Sequence, residues 1–181
     1  MKNIKSEKEI EIMARAGKML GQVLFETLKQ VKPGVTELEL DSFADKKIAE
    51  LGGFPGFKKV KGYHHAICTA TNDEVVHGIP KARKLKKGDI IAIDAGVYLE
   101  GYHSDMAETV RVQSSEIPSG ILGASTVQSK KDDIEKFLDA GKKAMWAGIK
   151  QAKPGNRVGH ISEAIQKIVE AGGYSVVRTL V

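Results

Sequence analysis

The sequence has a single cysteine, Cys68, so it cannot form an internal disulfide. It also lacks a long apolar run: nothing approaches the roughly 20 residues needed to cross a bilayer, and the longest apolar pieces are strand-sized. Residues 1–13 contain no uninterrupted apolar stretch of the secretory type, which predicts a reducing, cytoplasmic compartment and no membrane association. Neither sign of charge dominates. Lys and Arg number 28 against 23 Asp and Glu, and the resulting +5 is too diffuse to predict specific nucleic-acid recognition. With 41% hydrophobic and 28% charged residues in 181, what remains is a globular chain of about one domain.

Apolar periodicity predicts helices first. Ile10, Met13, Gly17, Leu20, Leu24, Leu28 and Val31 recur every three or four residues, opened by Ser6 and Glu9 at capping-box spacing. Pro33-Gly34 ends this helix. Thr36 and Glu39 open a second one, with Leu40, Phe43, Ala44, Ile48 and Leu51 as its buried stripe and Gly52-Gly53 as its stop. From residue 63 to 112 the apolar pieces are short and β-branched, at 66–70, 75–76, 90–93 and 109–112, with turn formers between them. An antiparallel sheet is expected there. Residues 113–131 read as a polar connection, after which helical spacing returns at Ile134, Leu138, Gly141, Met145, Ile149 and Ala152.

The punctuation of the first half recurs in the second. Ala16-Gly17-Lys18, Lys32-Pro33-Gly34 and Gly52-Gly53-Phe54 are answered in order by Ala140-Gly141-Lys142, Lys153-Pro154-Gly155 and Gly172-Gly173-Tyr174. This predicts a duplicated domain, with a first repeat over 1–112, a connection over 113–131 and the start of a second repeat over 132–181. Helices without their following strands would leave an incomplete core, so the repeat predicts further strands, from a longer chain or from another one.

Chemistry is expected where acidic residues enter the sheet. Asp94 lies in Ile-Ala-Ile-Asp-Ala-Gly and Asp105 in His-Ser-Asp-Met-Ala, on either side of a turn near Glu100-Gly101. A turn at Leu99-Glu100 would pair them directly. A turn at Glu100-Gly101 would displace Asp105 by two residues and leave both on one face. Either register brings two carboxylates together, and like charges at close range need a proton or a cation between them. A solvated outer face would need neither, but the apolar run before Asp94 argues for an occupied, buried site. His77, in Glu-Val-Val-His-Gly-Ile-Pro, is read at the end of a short strand, and His103 is a spare ligand candidate beside Asp105.

These segments, with Gly62-Tyr63 through Ile67-Cys68 and Ala152 to Arg157, resemble type I methionine aminopeptidases, and the resemblance covers nearly the whole chain. It implies an α+β, pita-bread fold: curved antiparallel sheet with helices on one face, pseudo-twofold duplicated, here stopping short of its last strands. It further implies that Asp94 and Asp105 bind two divalent metal ions (Co, Mn, Fe or Zn, not distinguished), that His77 is the catalytic histidine near the scissile peptide, and that Tyr63 and Cys68 with His77 bind the substrate's methionine. The activity implied is removal of initiator methionine from nascent proteins by metal-activated water, in a cytoplasmic monomer with a ribosome contact.

The family completes its metal site with one histidine and two glutamates from the second half, and none of these is expected in this sequence. The chain alone is therefore expected to be nearly inactive. Two rival readings are a noncatalytic pita-bread module that binds peptides or a ribosomal surface, and an Xaa-Pro peptidase. The paired aspartates argue against the first, and the absence of an extra leading domain argues against the second.

Overall fold

The computed structural model describes residues 4–113 and 132–178, which fall into two compact units, 1–125 and 126–181. The predicted connection over 113–131 lies, but for residue 113, outside the described residues.

In the first unit, helix α1 (Glu7–Leu28) opens on the predicted capping box: the Glu9 amide donates to Ser6 Oγ at 3.4 Å, and the Ser6 amide donates to the Glu9 carboxylate at 2.6 Å. Its buried residues are Ala16, Leu20, Val23, Leu24, Thr27 and Leu28. Thr27 is tolerated there because its hydroxyl donates to the Val23 carbonyl at 2.8 Å. Ile10 and Met13, expected in the same stripe, are 54% and 37% exposed. The first turns of α1 pass the tip of a hairpin and are held by polar partners: Tyr102 donates to Glu9 at 2.6 Å, and Arg15 pairs with Glu100 at 2.7 Å.

Helix α2 (Glu37–Glu50) repeats the device, with the Glu39 amide on Thr36 Oγ1 at 3.2 Å and the Thr36 amide on Glu39 at 2.7 Å. It buries Leu40, Ala44 and Ile48, while Phe43 and Leu51 are half-buried. Between the helices Gly34 takes φ +92°, a left-handed turn that stops the chain from continuing as helix.

Both helices cover one face of an antiparallel sheet. The long central strand β3 (Ile90–Leu99) pairs with β1 (Phe54–Pro55), β2 (Ile67–Thr71) and β4 (Tyr102–Arg111). Successive strand residues point to opposite faces, so Ile91, Ile93, Ala95 and Val97 enter the core with Ile67, Leu20, Leu40 and Ile48. Each such fully buried branched side chain contributes about 1.5–3 kcal/mol. The alternate residues of β3, among them Asp94 and Gly96, take the other face.

The strands at 66–70, 90–93 and 109–112 are present, the last two extended to ten residues each. The strand expected at 75–76 is not. Val75 and Val76 are 59% and 48% exposed, in a loop that leaves β2 through a left-handed Asn72 (φ +60°). The β2 edge is met instead by the backbone of Gly78, whose carbonyl accepts from the Thr69 amide at 2.9 Å.

The second unit is a helical hairpin, α3 (Asp133–Gln151) and α4 (Val158–Ala171). Asp132 caps α3 by accepting from the Glu135 amide at 2.9 Å. Ala144 and Gly148 are the buried positions of α3, and a Cβ at Gly148 would meet the Ile165 side chain at 2.9 Å, so the glycine permits the close approach of α4. The turn between them uses Gly155 at φ +88°. Among the described residues no helix is long and apolar enough to cross a membrane.

Candidate functional site

The hairpin joining β3 to β4 turns on Glu100 and Gly101, at φ +48° and +94°, the mirror-type turn that matches strand twist. Leu99 thus pairs with Tyr102, Gly96 with Asp105 and Asp94 with Ala107. Of the two registers open to the sequence, this one sets Asp94 and Asp105 on a diagonal of one face, where Cβ atoms lie about 7 Å apart and carboxyl groups can meet. Both carboxyl groups line one pocket, close enough for the charge on Asp105 to act on Asp94. Burial pushes the Asp94 carboxyl up to about 6, with the neighbouring Asp105 carboxylate acting in the same direction and His77 opposing them. Asp94 Oδ1 is buried without a hydrogen-bond partner.

Glycine makes room for the site. Gly96 lies between the two carboxylates, and a Cβ there would come within 2.9 Å of the Phe57 ring. A Cβ on Gly56 would meet the Gly96 backbone at 3.2 Å. Their bare backbones let the 3-10 turn Gly56–Lys59 settle on the open face of the sheet, with Phe57 as a wall. Tyr63 packs edge-on to Phe57, its hydroxyl 2.7 Å from the Ile67 carbonyl, to which it donates, and 3.1 Å from Cys68 Sγ. Burial raises both the Tyr63 hydroxyl and the Cys68 thiol above their ordinary values, so each stays protonated at neutral pH. Cys68 pairs with Asp94 across the strands and shares its face.

The result is a pocket of about 470 Å³ with an acidic end and an apolar end. Asp94, Asp105 and His77 line the first, and Phe57, Val60, Tyr63, Cys68 and Ile79 the second. Five of the six residues singled out from the sequence, Tyr63, Cys68, His77, Asp94 and Asp105, therefore line one cavity. His103 does not line it. It stacks on Tyr98 with ring centroids 4.9 Å apart, and its Nδ1 would be 3.1 Å from a Cβ on Gly56.

His77 stands on a strapped loop and not at a strand end. Its own φ is +54°, an uncommon left-handed conformation for a side chain of that size. The loop's feet are tied to α2 by groups that periodicity did not reveal. Glu37 is fully buried and accepts from Thr71 Oγ1 at 2.7 Å, from the Lys81 amide at 3.0 Å and from Arg83 Nε at 3.0 Å. Glu74 accepts from the Thr71 amide at 2.9 Å, from Lys81 Nζ at 2.6 Å and from Arg83, which together hold its carboxyl down at about 2. Asp41 fixes the other wall, accepting from the Ala66 and Ile67 amides at 2.7 and 3.2 Å while His65 Nδ1 lies 2.7 Å away. The only sequence signal for Glu37 was its place in the first turn of α2, where a carboxylate suits the helix N-terminus.

Two adjacent carboxylates, one with an unpartnered buried oxygen, suit a divalent cation. Among the described residues no third His, Cys, Asp or Glu joins them to complete a metal site. The donor set therefore fits part of such a site.

Comparison with known proteins agrees with this chemistry. Residues 11–181 match the model of metallopeptidase family M24. The chain is 40% identical over 177 residues to methionine aminopeptidase 1 of Bacillus subtilis, covering 98% of this chain and 65% of that protein. It is 38% identical over 178 residues to the methionine aminopeptidase of Clostridium perfringens, covering 98% and 66%. Among solved structures, methionine aminopeptidase from Thermotoga maritima superposes with a TM-score of 0.85 at 33% identity, over 100% of this chain and 67% of that one. X-Pro aminopeptidase from the same organism shares the fold with a TM-score of 0.71 at 21% identity, over 94% and 43%. The fold is thus the α+β pita-bread fold. The chain spans about two thirds of the length of the curated relatives it matches, and on the family match over nearly its full length it belongs to metallopeptidase family M24.

Proposed function

We propose that the pocket is part of the active site of a methionine aminopeptidase, which removes the first methionine from a polypeptide by hydrolysis. The observation that carries this reading is the diagonal of Asp94 and Asp105, with a buried unpartnered oxygen, at the acidic end of an otherwise apolar pocket. Asp94 and Asp105 would hold divalent metal, two ions if both carboxylates are shared as in the resemblance drawn above. Divalent metal, when bound, supplies Lewis acidity and lowers the pKa of water toward neutrality.

The remaining work falls to this chain's own groups. Phe57, Val60, Tyr63, Cys68 and Ile79 receive the unbranched thioether side chain and exclude water from it, and the Cys68 sulfur is a soft neighbour for a thioether. His77 donates a hydrogen bond to the carbonyl oxygen of the first peptide bond, most strongly as negative charge develops there. Asp94, a weaker acid than an ordinary carboxyl, holds a proton below about pH 6 in the absence of metal and would give it up to a bound cation.

Two carboxylates without imidazole hold transition metals weakly, so turnover by these 181 residues alone should be marginal. In the cell the reading makes the protein a cytoplasmic monomer that meets nascent chains at the ribosome. The test is hydrolysis of Met-Ala-Ser with added manganese or cobalt, alongside manganese calorimetry. Metal uptake that disappears in Asp94→Ala and Asp105→Ala supports the reading. A folded chain that takes up no manganese at millimolar levels would overturn it in favour of a noncatalytic peptide-binding module.

A further inference from the structure

The second unit carries a groove that the peptidase reading leaves unused. It lies between α3 and α4, has a volume of about 730 Å³, and is lined by Lys142, Lys143, Trp146 and Lys150 of α3 and by Lys167 and Ile168 of α4. None of the described residues lining it is acidic. Lys143 and Lys167 have partners one turn away, Asp139 at 2.9 Å and Glu163 at 2.6 Å, and exposed pairs of this kind exchange readily. Lys142 and Lys150 have no ion-pair partner among the described residues. Trp146 is 52% exposed among them. By helical position Ile149 lies one turn from Trp146 and Met145 one turn from Lys142, so the exposed apolar residues of α3 border one side of the groove.

The first hairpin shows how unusual that charge is. Aligned on Ala16-Gly17-Lys18 and Ala140-Gly141-Lys142, Lys150 stands where α1 has Glu26. Glu26 and Lys47 pair across the two helices at 3.0 Å, and Lys47 also reaches Glu50 at 3.1 Å. The first hairpin thus neutralises its own seam. The second has Lys150 in the place of the acidic Glu26 and a half-exposed indole, Trp146, in the place of Gln22. Four cations around an exposed aromatic face form a stacking platform beside phosphate-binding charge, the combination that suits single strands without sequence preference.

We infer that the α3–α4 groove binds single-stranded RNA, with a base stacked on Trp146 and phosphates on the surrounding lysines. The diffuse net charge of the sequence did not show this; the fold concentrates the lysines. The inference is independent of the metal site. Trp146 is the only tryptophan in the chain, so intrinsic fluorescence reports the groove directly.

Titrating the chain with short oligouridylate at low ionic strength should quench that fluorescence. The affinity should fall with salt at a log–log slope of about −2 to −3, from about 0.7 per phosphate neutralised. Lys150→Glu and Lys167→Glu should each weaken binding by about tenfold with helical circular dichroism unchanged, whereas Lys46→Glu on the first hairpin should change it by less than about twofold. Anisotropy of labelled oligouridylate should show a loss of about fivefold or more for Trp146→Leu. Absence of quenching, or an equal loss in Lys46→Glu, would overturn the inference. Tighter quenching by polyglutamate than by oligouridylate would also overturn it and assign the groove to an acidic polypeptide.

Discussion

The Thr69 amide donates to the Gly78 carbonyl at 2.9 Å, and the two backbones approach so closely that a Cβ on Gly78 would fall well inside contact distance of the Thr69 carbonyl oxygen. This contact sets where His77 stands over Asp94. Gly78→Ala should therefore lift the loop off β2, at a cost of about 1–3 kcal/mol. The Thr69 amide should then exchange with solvent faster while amides in the middle of α1 do not, a pattern that hydrogen exchange resolves residue by residue.

Asp94 should make the metal-free protein sensitive to alkali. Its folded pKa of about 6 lies above the ordinary value of 3.8, so the folded state holds the extra proton between these limits. Stability is full below about pH 4 and declines as pH rises through 6. Asp94→Asn should remove that decline and be the more stable protein at pH 7, while losing manganese uptake. Thermal melts from pH 4 to 8, with and without metal, check both signs.

The buried end of the strap predicts an asymmetry. Arg83→Met leaves the fully buried Glu37 without its cation and should cost about 3 kcal/mol or more. Glu37→Gln leaves Arg83 one-third exposed and still paired with Glu74, and should cost less. Urea denaturation of the two variants compares them. Equal losses would mean that Glu37 is satisfied by Thr71 and the Lys81 amide alone.

Glu74 predicts the opposite pH response to Asp94. Its carboxyl is held down to about 2, so its contribution is full above its ordinary 4.5 and disappears as pH falls toward 2. Glu74→Gln should lower the neutral plateau of the stability curve and so flatten its acid limb over that interval, leaving the slope near neutrality unchanged.

In an enzyme with the complete metal site, His77→Ala should cut cleavage of methionyl peptides by about 10² or more while leaving manganese affinity nearly unchanged, since the histidine is assigned to the developing oxyanion and not to the cation. Steady-state kinetics beside calorimetry separates the two effects.

Much of the scaffold was legible because it is local. Both capping boxes, at Ser6 with Glu9 and Thr36 with Glu39, lie within four residues of chain, and each opens a helix where the spacing places it. The shared face of Asp94 and Asp105 was legible too, since either turn gives it, although only the left-handed pair Glu100 and Gly101 selects the diagonal. What periodicity could not supply was long-range satisfaction of polar groups. Val75 and Val76 look like strand, but the β2 edge is met by Gly78 instead. Ile10 and Met13 continue an apolar stripe, but the hairpin beneath them offers Tyr102 and Glu100. Glu37 reads as a surface residue of a first helical turn, and its burial follows from Thr71, Lys81 and Arg83 arriving from more than thirty residues away.

The tie between α1 and the hairpin tip bears on ion choice. Tyr102 on Glu9 and Arg15 on Glu100 clasp the turn joining the two strands that carry the carboxylates. The second clasp is exposed and contributes little, but the first is partly shielded. With the tip splinted, the gap between Asp94 and Asp105 behaves as a caliper closed before any cation arrives. Preference among manganese, cobalt and zinc would then follow ionic radius, and unclasping the tip with Tyr102→Phe would blunt that ranking.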